Sequence, residues 1–185
     1  MASVYLGLGS NLGNREANLR AALRGLTRMG RVEAVSALYE SEAVGGGPFD
    51  SAQDGPAQPP YFNAVCQLET GLEPRPLLRY LLGLERELGR RPGGKCWAAR
   101  PIDLDILLHG DRVVDEAGLV IPHARMMERS FVLAPLAELA ADVRHPVEGK
   151  TVGELLAAVG TEGVRRIAEA GWDGLAGSAG EKLRL

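Results

Sequence analysis

Apolar positions along this chain switch between two periods, and the switches mark its elements. Val4-Tyr5-Leu6-Gly7-Leu8 is short and largely apolar and predicts a first strand. Gly9-Ser10-Asn11-Leu12-Gly13-Asn14 follows as a glycine-punctuated loop. Leu19, Ala22, Leu23 and Leu26 then recur at helical spacing, which predicts a helix from about Arg15 to Met29 with Asn14 as N-cap. Val32 to Tyr39 alternates as a second strand. From Val44 to Pro60 the pattern dissolves into glycine and proline, and a loop of that length is either functional or disordered. Its Phe49 is either a lid residue or an exposed side chain.

Tyr61 to Glu69 resumes as a third strand, with Phe62, Ala64, Cys66 and Leu68 on one face and Asn63 on the other. Pro74 and Pro76 suit a helix start, and Leu77, Leu81, Leu84 and Leu88 give that helix one apolar stripe, ended by Gly89. A basic loop, Arg90 to Lys95, leads into a strand over Trp97–Leu108. Ile102, Leu104, Ile106 and Leu108 are expected on one face of it, and Asp103 and Asp105 on the other. Arg112-Val113-Val114 can pair back as a short strand, and Leu119 to His123 is extended. Phe131 to Leu139 is helical around Pro135, and Thr151 to Val159 is a helix capped by Thr151 and Glu154. After Gly160 the pattern is lost. Residues 1–160 read as one domain, and 161–185 as a peripheral or partly mobile tail.

The order strand, helix, strand, strand, helix, strand is that of a ferredoxin-like α+β fold. It predicts a mainly antiparallel sheet with both principal helices on one face. The later segments should extend the sheet and cover its other face.

At 185 residues the chain is long enough for a substantial core. A formal net charge of -3 argues against coating nucleic acid by bulk charge, though not against a local anion site. Eighteen of the 21 basic residues are arginine, which genome composition alone can produce. The N-terminal segment lacks signal-peptide character, and no long uncharged apolar run suits a membrane span. Cys66 and Cys96 have no metal-ligand spacing and read as reduced thiols of a cytoplasmic protein.

The chemistry concentrates at Asp103 and Asp105. Carboxylates two residues apart on a strand lie roughly 6.6 Å apart at the backbone, so their side chains can converge on hard cations. The alternative is a solvated strand face. Arg90, Arg91 and Lys95 upstream and His123, Arg125 and Arg129 downstream favour a metal-bound polyphosphate, with guanidiniums neutralising the remaining oxygens. Each basic residue taken alone has a bland reading; jointly they point to a nucleotide site. The loop after the first strand lacks the lysine of a P-loop and the glycine pattern of a dinucleotide fold, so it reads as a structural turn. There is no nucleophile elbow, no zinc spacing of the three histidines, and no interleaved aromatics for RNA stacking.

These pieces together resemble the 6-hydroxymethyl-7,8-dihydropterin pyrophosphokinases of folate biosynthesis. The matching blocks are Gly9-Ser10-Asn11-Leu12-Gly13, Tyr39-Glu40-Ser41-Glu42 and Tyr61-Phe62-Asn63-Ala64-Val65. They continue with Glu85-x-x-Leu88-Gly89-Arg90, Trp97-x-x-Arg100-Pro101-Ile102-Asp103-Leu104-Asp105-Ile106-Leu107, and Ile121-Pro122-His123 with Arg129-x-Phe131. The resemblance implies transfer of pyrophosphate from ATP to the pterin hydroxymethyl group, with AMP released. It implies that Asp103 and Asp105 bind two Mg²⁺ and act catalytically with Arg90 and Arg100. Glu85, Arg90, Trp97, Arg100, Ile106, His123 and Arg129 would serve the nucleotide. Ser41, Val44, Tyr61, Asn63, Trp97, Asp103 and Phe131 would serve the pterin.

The chain departs from many relatives in reading Trp97-Ala98-Ala99-Arg100 and in placing Pro92 near an expected second arginine, where Arg91 or Lys95 would have to substitute. The implied partners are ATP and 6-hydroxymethyl-7,8-dihydropterin, without nucleic acid or membrane, on a monomer for which an oligomer stays open. The rival readings are a metal-dependent nucleotidyltransferase and a non-catalytic pterin or nucleotide module of the same fold.

Overall fold

Strand β1 (Ala2–Ser10) lies inside a six-stranded antiparallel sheet, flanked by β5 (Asp103–His109) and β4 (Tyr61–Thr70). The computed structural model describes residues 1–43, 58–90 and 99–175. Beyond β4 come β2 (Arg31–Val35) and β3 (Leu38–Ser41), both paired to it, and β8 (Val164–Ala168) pairs with β3. With α1 (Arg15–Leu26) and α2 (Pro74–Glu87) between strands, this is the ferredoxin-like arrangement expected from the element order.

The two periods sort the residues into two cores. Val4, Leu6, Leu8, Leu104 and Ile106 face Leu19, Leu23 and Leu26 of α1 and Leu77, Leu81 and Leu84 of α2. Each such leucine contributes about 1.5–3 kcal/mol on full burial. The helices approach so closely that a β-carbon at Gly25 would stand 2.5 Å from Leu84 Cδ1. On the opposite face, Tyr5, Val65, Leu107 and Leu108 pack against α3 (Ser130–Ala140) and α4 (Val152–Val159). Asn14 accepts the Ala17 N–H as N-cap, and Thr151 and Glu154 form the expected capping box.

Four local expectations change. The second strand breaks at Ser36, whose hydroxyl accepts the Val65 N–H and donates to the Ala37 carbonyl in place of a regular ladder. In β5 an extra residue intervenes, because Tyr5 pairs with Leu108 while Leu6 pairs with Ile106. That bulge turns Leu108 to the Leu107 side rather than the Ile106 side. The short strand is β6 (Val114–Glu116), which pairs with β7 (Leu119–Ile121) and not back onto the preceding strand.

Finally, residues 161–175 are not simply peripheral. β8 extends the main sheet, and Trp172 is 8% exposed in the helix-side core, donating its indole N–H to the Ser36 carbonyl at 2.9 Å. Among the described residues no helix is long and apolar enough to cross a membrane.

Candidate active site

The open face of β5 and β4 floors a cleft of about 550 Å³, walled by α2 on one side and the start of α3 on the other. Strand pairing places Asp103 opposite Gly9 and Asp105 opposite Gly7. Both acids therefore share a face with glycines, so the floor between them and β4 stays low. A β-carbon at Gly9 would stand 3.5 Å from Tyr61 Cδ1 and 3.7 Å from Asn63 Oδ1, inside the cleft.

Around the acids the charges are paired in a chain. Arg90 Nη1 donates to Asp103 Oδ1 at 2.8 Å and also to Glu85 Oε1. Arg100 Nη1 donates to the same Asp103 oxygen at 3.1 Å. Burial depresses the Arg100 guanidinium, but the Asp103 carboxylate, with Tyr61 and Glu85, outweighs it and holds Arg100 above its usual range. Asp105 lies 4.0 Å from His123 Nε2 and keeps 44% of its side chain exposed, so it is reachable from the cleft it lines. Enclosure by the cleft and then the Asp103 carboxylate push the Asp105 carboxyl above the ordinary range, against His123, Arg129 and Arg90. Arg129 is held below its usual range by burial and by Arg125, and its Nε is buried without a hydrogen-bond partner. A desolvated, unpartnered guanidinium N–H beside two acids is a position that an anion would satisfy.

Beside the acids the cleft also carries a buried polar pair. Asn63 and Ser41 are both 6% exposed, and Asn63 Nδ2 donates to Ser41 Oγ at 2.9 Å. Tyr61 and Phe131 stand beside them as aromatic walls, and burial raises the Tyr61 hydroxyl. Asp103 and Asp105 are the residues that could hold a metal; no cluster of three or more His, Cys, Asp or Glu occurs among the described residues.

Asp103, Asp105, Glu85, Arg90, Arg100, His123, Arg129, Ser41, Tyr61, Asn63 and Phe131 thus line one cleft. Ile106 does not: its side chain is 5% exposed in the helix-side core. Trp97 and Val44 lie outside the described residues, as do Phe49, Arg91, Pro92 and Lys95. Two cleft residues and one beside the start of β4 escape sequence reasoning. Leu78 and Leu82 line the α2 wall one position beyond the buried stripe, where Leu82 is an exposed apolar residue without a core role. Arg15 stacks 3.6 Å over the Phe62 ring and donates to the Pro60 carbonyl at 2.7 Å, fixing the entry to β4.

A sequence profile described as 7,8-dihydro-6-hydroxymethylpterin-pyrophosphokinase matches residues 5–141, which include the described cleft residues. The chain belongs to that family. It is 43% identical over 166 residues to the 2-amino-4-hydroxy-6-hydroxymethyldihydropteridine pyrophosphokinase of Pseudomonas aeruginosa, covering 89% of this chain and 96% of that one. The protein of the same description from Synechocystis is 40% identical over 153 residues, covering 82% and 73%. Wild-type Plasmodium falciparum HPPK-DHPS superposes with a TM-score of 0.64 at 15% identity, over 90% of this chain and 48% of that longer one. That likeness is one of fold. Family membership makes this chain an enzyme of the pyrophosphokinase class, a transferase of folate biosynthesis acting on small molecules.

Proposed function

We propose that the chain transfers pyrophosphate from ATP to the hydroxymethyl group of 6-hydroxymethyl-7,8-dihydropterin, releasing AMP, in the cytoplasm and with Mg²⁺. The observation that carries this reading is the joint lining of one cleft. Asp103 and Asp105 with Arg90, Arg100 and Arg129 line it together with an Asn63–Ser41 amide–hydroxyl pair, and Tyr61 and Phe131 stand between the two sets.

The donor set fits magnesium. Mg²⁺ is usually held by one or two carboxylates and completed by substrate phosphates rather than by an all-protein cage, and Asp103 and Asp105 are such a pair. Burial first and then the neighbouring Asp103 carboxylate raise the Asp105 carboxyl, and bound cations would offset both. When bound, Mg²⁺ ions supply charge neutralisation on the triphosphate.

The protein groups position the substrates. Arg90, Arg100 and Arg129 neutralise phosphoryl oxygens, with His123 beside Asp105. Asn63 offers amide hydrogen bonds to the pterin edge, and Tyr61 and Phe131 flank its ring. The hydroxymethyl oxygen forms a bond to the β-phosphorus as the bond from that phosphorus to the α-bridging oxygen breaks. AMP is the leaving group, and Asp105 takes the hydroxyl proton. A covalent nucleophile is not needed, because such transfers depend on alignment and electrostatics.

Product analysis tests the reading. Incubation with ATP, Mg²⁺ and the pterin should yield AMP and a pterin diphosphate in equal amounts. Released pyrophosphate with a nucleotidylated pterin would replace it with the nucleotidyltransferase reading.

A further inference from the structure

Asn11 lies on the loop leaving β1, in the glycine-punctuated segment that reads as a turn, and it is 1% exposed. Its amide serves two segments remote in sequence. Oδ1 accepts the Arg100 backbone N–H at 2.8 Å, and the Asn11 backbone N–H donates to the Arg100 carbonyl at 3.3 Å. Nδ2 donates to Gln58 Oε1 at 3.3 Å and to the Pro59 carbonyl at 3.5 Å.

The two bonds to Arg100 continue the β1–β5 ladder beyond its last rung, Gly9 opposite Asp103. They run one residue out of register, to Arg100, because Pro101, which the register would set opposite Asn11, has no N–H to offer. From this anchored backbone the Arg100 guanidinium turns back to Asp103. We propose that Asn11 is a positioning residue for Arg100, holding its guanidinium where a nucleotide phosphate meets Asp103. An amide suits the place because one end must accept from Arg100 while the other donates to Gln58 and Pro59. Those donations fix which way round the amide sits. They also tie the same residue to the start of β4, two positions before Tyr61. Outer-shell partners that orient metal ligands typically change affinity or activity 10–100-fold when removed, and an oriented phosphate-binding arginine should follow at the lower end of that range.

The inference rests on the reading of Arg100 as a phosphate-binding group, and a binding cycle separates the two. A non-hydrolysable ATP analogue with Mg²⁺ is titrated calorimetrically into wild type, Asn11→Ala, Arg100→Ala and the double variant. Asn11→Ala should weaken binding about tenfold. On the Arg100→Ala background it should weaken it by less than about threefold, because the group it positions is gone. Wild-type affinity in Asn11→Ala, or a full multiplicative loss in the double variant, overturns the inference alone. Wild-type affinity in Arg100→Ala overturns the phosphate reading and the inference with it. If Asn11→Ala does not fold, Asn11→Asp carries the test. It keeps the acceptor for Arg100 but loses the donations to Gln58 and Pro59, so whatever affinity it loses should shrink to less than about threefold on the Arg100→Ala background, and a full multiplicative loss overturns the inference.

Discussion

The Leu104 backbone N–H donates to Glu85 Oε1 at 2.8 Å, pinning the residue between the two acids to the helix behind it. The same oxygen receives Arg90, so one buried carboxylate sets both the depth of β5 and the reach of an arginine. Burial raises the Glu85 carboxyl, and the Leu104 N–H and Arg90 draw it back. Glu85→Ala should cost about 2–3 kcal/mol, since it strands a buried N–H and half of an ion pair. Glu85→Gln keeps an acceptor for Leu104 and should cost about 1 kcal/mol. Urea unfolding of both variants measures the difference, and equal losses would remove the role given to the Leu104 bond.

Asp105 faces the cleft and supports no element. Asp105→Ala should therefore leave the far-ultraviolet dichroism unchanged and lower turnover by about 10²–10⁴-fold. Wild-type turnover in that variant would refute its assignment to the chemistry.

Gly9 keeps the floor low between Asp103 and the β4 residues. Gly9→Val should fold, because the nearest atoms to an added β-carbon are at ordinary contact distance. Its branches would enter the space beside Tyr61 and Asn63, so KM for the pterin should rise about tenfold, or ~1.4 kcal/mol, more than KM for ATP. Equal effects on both substrates would place the pterin elsewhere.

His145 gives the stability a pH dependence remote from the cleft floor. Burial holds its imidazole below the ordinary histidine value, against Glu148, and its Nδ1 accepts the Glu148 N–H at 3.2 Å, which requires an unprotonated nitrogen. The unfolded chain then binds the proton first as pH falls. Stability from this group is full above the ordinary histidine value and is lost as pH falls through the lower folded value. Urea unfolding at about pH 7.5 and about pH 5 should show that loss, with a smaller pH difference in His145→Gln. An unchanged difference in the variant would exclude His145 as its source.

What the sequence makes legible here is whatever depends on short-range periodicity. Asn14 and Thr151 act within one turn of their own helices, and Asp103 and Asp105 share a face because strand period is two. The Leu108 side is not legible, because a single bulged residue reverses it and depends on pairing with Tyr5. Ile106 sits in a motif full of cleft residues but alternates to the opposite face. β8 is hidden because Arg165 and Arg166 interrupt any apolar pattern. Their partners, Glu40 and Glu138, lie far back in the chain. Glu85 and Asn11 carry no local signal of what they hold, since each bonds to backbone brought near only by folding.

The seating of Trp172 against Ser36, with β8 along β3, bears on how far the polypeptide can be trimmed. The family match ends at residue 141, yet a protein shortened after residue 160 would leave β3 with unsatisfied ladder groups and an indole-sized hole at the strand break. A bare edge of that kind is a template for another molecule's strand. Such a shortened protein should self-associate with rising concentration, whatever its cleft can still bind.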